Sequence, residues 1–154
     1  MPLEVGSKAP EFTLKDQNGQ PASLSGLYAG RNVLVVFYPF AFSGICTGEL
    51  CQLRDDLDAF VNDDVVTVAI STDPVYSLKA WAEQEGYSFQ LLSDFWPHGE
   101  VSKAYGAFND QAGMPNRGTY LIDRSGTIRF AEMNAPGEAR DQKAWKEALA
   151  ALPA

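Results

Sequence analysis

Apolar residues along this chain follow two periods, and stretches of each kind alternate. "EFTLKDQNGQPASL" (11–24) carries two short runs around Asn18-Gly19, which predicts a β-hairpin. "NVLVVFY" (32–38) is continuous and valine-rich, the pattern of a strand covered on both faces, and Pro39 ends it. "TGELCQLRDDLDAFVND" (47–63) spaces Leu50, Leu53, Leu57, Phe60 and Val61 mainly three and four apart, which predicts an amphipathic helix. "DVVTVAIS" (64–71) reads as a second buried strand. "DPVYSLKAWAEQEG" (73–86) opens on Asp-Pro and closes on Gly86, the start and stop of a helix. "FQLLSD" (89–94) predicts a short strand, and "HGEVSKAYG" (98–106) a short helix closed by Gly106. "RGTYLIDRSGTIRFAEM" (117–133) predicts a hairpin turning at Ser125-Gly126. "EARDQKAWKEALAAL" (138–152) predicts a terminal helix, with Ala144, Leu149 and Leu152 among its apolar positions.

Parallel crossovers followed by an antiparallel hairpin predict an α/β fold, with a mixed central sheet flanked by helices. The order is thioredoxin-like with an N-terminal β-hairpin extension. No repeat or long linker divides the chain, so 1–154 reads as a single domain. In such a sheet, chemistry belongs at the carboxyl ends of the strands. The loop after 32–38 is therefore where a site is expected.

Composition narrows the function classes. At 154 residues and 45% apolar, the chain can bury a core without a disulfide scaffold. A net charge of -8 argues against nucleic-acid binding and against docking on anionic lipid. No apolar run approaches the roughly 20 residues of a membrane span. "MPLEVGSKAP" lacks the basic start and apolar run of a signal peptide. A cytoplasmic location, with reduced thiols, is the resulting expectation.

Both cysteines, Cys46 and Cys51, lie in "YPFAFSGICTGELCQLR" (38–54). Cys46 falls at the transition from loop to helix, where free N–H groups and the helix dipole favour an anion such as a thiolate. An accessible thiolate is a nucleophile and an oxidation target. A cysteine can equally be a small buried hydrophobe. Structural zinc calls for four ligands, and two cysteines with the single distant His98 do not supply them. The Cys-x4-Cys spacing also differs from the Cys-x-x-Cys of thioredoxin-type disulfide exchangers. No glycine-rich phosphate loop is present. Trp81, Trp96 and Trp145 read as core or interface, and His98 as a surface or capping residue.

"PFAFSGIC" fits the Pro-x-x-x-Thr/Ser-x-x-Cys pattern of the peroxiredoxins, with Pro39, Ser43 and Cys46 in register. Glu49, "LLSD" (91–94), "AYGAF" (104–108), "NRGTYLID" (116–123) and the start "GSKAPEFTLKDQNG" extend the resemblance over nearly the whole chain. "LLSDFWPHG", "NRGT", "DRSG" and "IRFAEM" resemble in particular the actinobacterial alkyl hydroperoxide reductase E type. The resemblance implies a thiol-dependent peroxidase acting on hydrogen peroxide, organic hydroperoxides and peroxynitrite. Cys46 would be oxidised to a sulfenic acid. Ser43 would hydrogen-bond the peroxide, Pro39 would shape and shield the pocket, and Arg117 would stabilise the thiolate and the transition state. Glu49 would orient Arg117. The resemblance implies no organic cofactor and no metal. It implies a homodimer, with Phe40, Phe42 and Phe95 available for interface or pocket wall. The expected reductant is a thioredoxin-like protein or a low-molecular-weight thiol system such as mycothiol with a mycoredoxin.

Cys51 departs from the E-type pattern, which relies on one cysteine and an external thiol. It creates the spacing of the bacterioferritin-comigratory (Q-type) peroxiredoxins, which implies resolution through a Cys46–Cys51 disulfide; the alternative is that Cys51 is a small buried hydrophobe on the helix and an external thiol resolves Cys46. In an intact helix, residues five apart have Cα atoms roughly 8–9 Å apart, beyond the roughly 7 Å a disulfide spans. A disulfide therefore requires the first helical turn to unwind. Two other readings remain: a redox sensor oxidised at Cys46 without turnover, and a thioredoxin-fold disulfide oxidoreductase.

Overall fold

The structure, a computed structural model, describes residues 3–152; the outermost ends of the expected domain, 1–2 and 153–154, lie outside the described residues. Strands β1 (Thr13–Lys15) and β2 (Pro21–Ser23) form the first hairpin, and Asp16 closes its turn by accepting from the Asn18 and Gln20 amides. Helix α1 (Leu24–Tyr28) follows at once, capped by the Ser23 hydroxyl, which accepts from the Gly26 amide. Then come β3 (Asn32–Phe37), α2 (Gly44–Asp55), α3 (Leu57–Phe60), β4 (Val65–Ser71), α4 (Val75–Glu85) and β5 (Gln90–Ser93). Helix α5 (Glu100–Ala104), a two-residue ribbon β6 (Phe108–Asn109) and β7 (Met114–Pro115), the hairpin β8 (Arg117–Ile122) and β9 (Ile128–Asn134), and α6 (Gln142–Ala150) complete the order.

Seven strands form one sheet in the order β2-β1-β5-β4-β3-β8-β9. β3, β4 and β5 run parallel, and β1, β8 and β9 join antiparallel. This is the thioredoxin-like mixed sheet, with the N-terminal hairpin added on the β5 edge. Every residue of β3 and β4 is buried, as parallel strands covered on both faces require. The period of two divides β3 between two cores. Val33, Val35 and Phe37 join Leu24 of α1 and Val101 of α5 on one face. Leu34, Val36 and Tyr38 join Leu50 and Leu53 of α2, Phe60, Leu78 and Trp81 of α4, and Trp145 of α6 on the other.

The expected helix over 47–63 begins earlier and ends sooner. Ser43 is its N-cap, and Asp56 leaves helical geometry at φ -119. Asp55 and Asp56 sit at the negative end of the α2 dipole, where carboxylates are unfavourable, while Asp58 falls in the first turn of the separate short helix α3, where a carboxylate is favourable, so the apolar period continues across a break. Helix α6 likewise begins at its Asp141 cap rather than at Glu138, leaving 138–141 as loop. Helix α1 and the ribbon β6–β7 have too few residues to show a period, and the sequence reading does not contain them.

Helix α2 is fastened to the sheet mainly through Leu50 and Leu53, both essentially inaccessible. Leu50→Ala is expected to lower unfolding free energy by about 2–5 kcal/mol, measured by urea denaturation.

Candidate functional site

The site grows from the carboxyl end of β3. Pro39 cannot donate to a ladder, and the chain leaves the sheet through 38–43. Phe42 there takes a left-handed backbone, φ 69, so the loop is held by its surroundings rather than by local preference. One support is Asp73, whose carboxylate accepts from the Ala41 amide (2.8 Å) and the Ser71 hydroxyl (2.7 Å). Another is the Ser43 hydroxyl, which donates to the Phe40 carbonyl (3.1 Å). Helix α2 then starts at Gly44, which puts Cys46 in its first turn, where unpaired amides and the dipole favour negative charge.

Strand β8 brings the opposite charge. It runs antiparallel to β3 with Thr119 opposite Val36, so its first residue, Arg117, reaches the end where β3 gives way to the loop. The Arg117 guanidinium is 2% exposed, and its three nitrogens reach three partners. Nη2 donates to Cys46 Sγ (3.2 Å), Nη1 to Glu49 Oε1 (2.7 Å) and Nε to the Pro136 carbonyl (2.8 Å). Glu49 lies three residues after Cys46, on the same helical face.

A second buried guanidinium, missed by the sequence reading, completes the network. Arg140, in the loop before α6, donates to Glu49 from Nη2 (2.9 Å), from Nε (3.2 Å) and from its own backbone amide (2.8 Å). Its Nη1 reaches the Gly118 carbonyl (3.0 Å) and the Thr119 hydroxyl (3.2 Å). Burial pushes the Glu49 carboxyl up. The bonds and charge of Arg140, then the charge of Arg117, more than reverse this and hold it below the ordinary glutamate range. Burial draws Arg140 down from its usual value, and Glu49 offsets part of that. Two cations facing one carboxylate leave a single positive charge beside Cys46 Sγ.

A mostly apolar cavity of about 400 Å³ opens against this cluster, lined by Pro39, Phe40, Ser43, Ile45, Met114 and Arg117 among others. The structure thus brings Cys46 and Glu49 each into contact with Arg117 and sets Pro39 and Ser43 in the adjoining wall. Cys46 is buried, and its thiol, like that of Cys51, is free. Cys51 lies on another flank of α2, near Glu85 Oε2 (3.6 Å) and Tyr87 Oη (3.4 Å). α2 is unbroken between the two cysteines. His98 stands apart, with Nε2 2.7 Å from the Gly113 carbonyl. Trp81 and Trp145 are core, while Trp96 is exposed. Among the described residues, no group of three or more His, Cys, Asp or Glu side chains is placed to hold a metal ion. No helix among them is long and apolar enough to cross a membrane.

Because the Glu49 carboxyl is depressed in the folded state, its contribution to stability is present above the unfolded value, about 4.3, and is lost as pH falls through the folded value. Glu49→Gln is expected to cost about 3 kcal/mol at pH 7 by leaving two buried cations facing a neutral amide. The gap to wild type should narrow as pH falls below about 4, in urea titrations at stepped pH.

Known proteins resemble this chain over nearly its whole length. The family model described as "AhpC/TSA family" matches residues 5–131. The chain is 61% identical over 152 residues to alkyl hydroperoxide reductase E of Mycobacterium tuberculosis (strain ATCC 25618 / H37Rv), covering 99% of each. It is 37% identical over 133 residues to peroxiredoxin Bcp of Escherichia coli (strain K12), covering 82% of this chain and 83% of that one. The crystal structure of peroxidoxin BcpB from Mycobacterium tuberculosis superposes with a TM-score of 0.86 at 31% identity, covering 99% of each chain. A full-length match of this kind, around a cysteine at a helix start beside a buried arginine, places the chain in the AhpC/TSA family: it is a peroxiredoxin, a thiol-dependent hydroperoxide reductase.

Proposed function

We propose that Cys46 is the thiol that reduces the peroxide, and that residues 1–154 form one peroxiredoxin domain for this purpose. The observation that carries the assignment is the Arg117 Nη2 donor 3.2 Å from Cys46 Sγ. The single excess positive charge of the Arg117–Glu49–Arg140 cluster is matched by a Cys46 thiolate. That thiolate attacks one peroxide oxygen. An S–O bond forms as the O–O bond breaks, and the departing alkoxide or hydroxide leaves as alcohol or water after taking a proton. Sulfur is oxidised by two electrons, and Cys46 becomes a sulfenic acid. Arg117 also faces the cavity, so its cation stabilises the negative charge that grows on the departing oxygen. Ser43 turns its hydroxyl from the Phe40 carbonyl to the bound peroxide. Pro39 keeps bulk water from the sulfur, and Glu49 holds the guanidinium in place.

Cys51 then resolves the sulfenic acid. Its sulfur bonds to Cys46 Sγ, the S–O bond breaks, and the hydroxyl leaves with the thiol proton as water. Helix geometry requires the first turn of α2 to unwind for this step. A thiol reductant returns both sulfurs to the reduced state. We assign that part to a thioredoxin-like protein or a mycothiol–mycoredoxin system. Hydrogen peroxide, organic hydroperoxides and peroxynitrite are the proposed substrates, and the apolar cavity wall suits an alkyl chain. Neither metal nor organic cofactor enters the scheme. The exposed Phe42, Phe95 and Trp96 supply apolar surface for the proposed homodimer, and the proposed location is the cytoplasm. The relatives' names, reductase and peroxiredoxin, favour turnover over a stoichiometric sensor.

Intact mass after one equivalent of peroxide tests the scheme. Wild type should lose about 2 Da, and Cys51→Ser should gain about 16 Da instead. Cys46→Ser should not react; if it reacts as readily as wild type, the assignment fails. A wild-type gain of about 16 Da would hand resolution to an external thiol. Stopped-flow kinetics of Arg117→Met should show a second-order rate constant roughly 100-fold or more below wild type.

A further inference from the structure

Thr47, Cys51 and Arg54 are spaced at i, i+4 and i+7, so they share one stripe of α2, away from the face that carries Cys46 and Glu49. One corner of the chain meets that stripe at all three points. It is the exit of α4, where Gly86 takes a left-handed backbone (φ 73) and turns Glu85 and Tyr87 toward α2. Arg54 Nη1 donates to the Glu85 carbonyl (2.6 Å). Cys51 Sγ lies 3.6 Å from Glu85 Oε2 and 3.4 Å from Tyr87 Oη. Tyr87 Oη donates to the Thr47 carbonyl (3.2 Å). The Tyr87 ring is itself fixed, edge-on to Trp81 (centroids 5.1 Å) and stacked on Phe89 (5.2 Å), and is 6% exposed.

These contacts fall on both sides of the boundary between the segment that must open and the rest of α2. Cys46 can reach Cys51 only if the turn containing Thr47 gives way, whereas Cys51 and Arg54 belong to the part of α2 that can stay helical. The Tyr87 hydroxyl touches both parts: it ties down the carbonyl that must move and contacts the sulfur that must receive the bond. We propose that Tyr87 is a positioning residue for resolution, a latch that holds the first turns of α2 closed and so sets how fast the Cys46 sulfenic acid forms its disulfide with Cys51. The inference rests on the reading of Cys51 as the resolving thiol. The step is the one given above: S–S forms, S–O breaks, and water leaves. Its competitor is a second peroxide, which adds another oxygen to the Cys46 sulfenic acid and gives the sulfinic acid. A tighter latch lengthens the life of the sulfenic acid and favours that loss.

Tyr87→Phe removes the hydroxyl and keeps the ring that packs on Trp81 and Phe89. One lost hydrogen bond should speed opening about threefold or more. Amide hydrogen exchange over residues 46–51 of the reduced protein should accelerate by that factor. Disulfide formation after one equivalent of peroxide should accelerate in parallel. Sulfinic acid at Cys46 under excess peroxide should fall, while the rate of sulfenic acid formation stays at the wild-type value. Glu85→Gln, which leaves the Tyr87–Thr47 bond in place, should keep wild-type exchange over 46–51. Unchanged exchange and disulfide rates in Tyr87→Phe, with wild type forming its disulfide, would overturn the latch alone. Equal acceleration in Glu85→Gln would also overturn it, by assigning the effect to the corner rather than to the hydroxyl. A wild type that gains oxygen without forming the disulfide would overturn the reading of Cys51, and the latch with it; that outcome is read on wild type alone.

Discussion

The carboxylate of Glu49 is the constraint on which the site depends. It is a 4% exposed anion that accepts three N–H bonds from two guanidinium groups and a fourth from the Arg140 backbone amide, and thereby fastens α2 to β8 and to the loop before α6. Its backbone carbonyl adds a further tie, accepting from the Gln142 side chain (2.9 Å). Buried ion pairs are a poor way to gain stability, because desolvation consumes most of the Coulomb attraction. Their use here lies in direction. A guanidinium is planar, and fixing Nε on Pro136 and Nη1 on Glu49 leaves little freedom in where Nη2 points. It points at sulfur. Removing Arg140 from this picture would leave Glu49 balanced by Arg117 alone, and the cluster would offer a thiolate no net positive charge.

The elements and the site differ in how far the sequence reveals them. Strands β3 and β4 are legible because burial on both faces writes an unbroken apolar run. Helix α4 is legible because Pro74 and Gly86 bracket it. The break at Asp56 is not, since the apolar period runs straight through it and only the charge at the helix end interrupts the backbone. Cys46, Glu49 and Arg117 are legible because a local motif, or a position just before a strand, marks them. Arg140 carries no such mark. It stands in an irregular loop, 91 residues from the carboxylate it pairs with, and its neighbours in "EARDQ" read as the polar start of a helix. Tyr87 and Asp73 escape for the same reason: their roles come from what the fold lays beside them, not from spacing along the chain.

The two cysteines illustrate how one helix can hold two different thiols. Five residues turn the helix by about 140°, so the sulfurs look onto different neighbours. Around Cys46 are two guanidinium groups, one carboxylate and the amides of a helix N-terminus, an environment with an excess of positive charge. Around Cys51 are the Glu85 carboxylate, the Arg54 guanidinium and an uncharged phenol, and those charges cancel. Burial pushes the Tyr87 hydroxyl well above its ordinary value, so it meets Cys51 as a neutral group that can both donate and accept. Only the first sets a net positive charge beside the sulfur. The proposed division of labour between nucleophile and resolving thiol therefore rests on which face of α2 each occupies.

In the proposed cycle, the same geometry sets a conflict that the fold must balance. Peroxide reduction asks for a rigid first turn, because Nη2 and the helix amides act on Cys46 only while that turn is formed. The proposed resolution by Cys51 asks that turn to unwind, which breaks the Arg117–Cys46 contact. Leu50 and Leu53 lie further along α2, past the segment that opens, so the core beneath the helix can stay packed while the turn moves. Glu49 sits at the boundary. Its side chain is held by two arginines and its carbonyl by Gln142, which sets a natural limit for the proposed unwinding near that residue. Opening confined to Gly44–Gly48 removes few apolar contacts, because Gly44, Ile45 and Gly48 are already exposed and Cys46 is the one fully buried side chain among them. The energetic cost of opening thus falls on hydrogen bonds rather than on core burial, and single polar contacts are able to tune it.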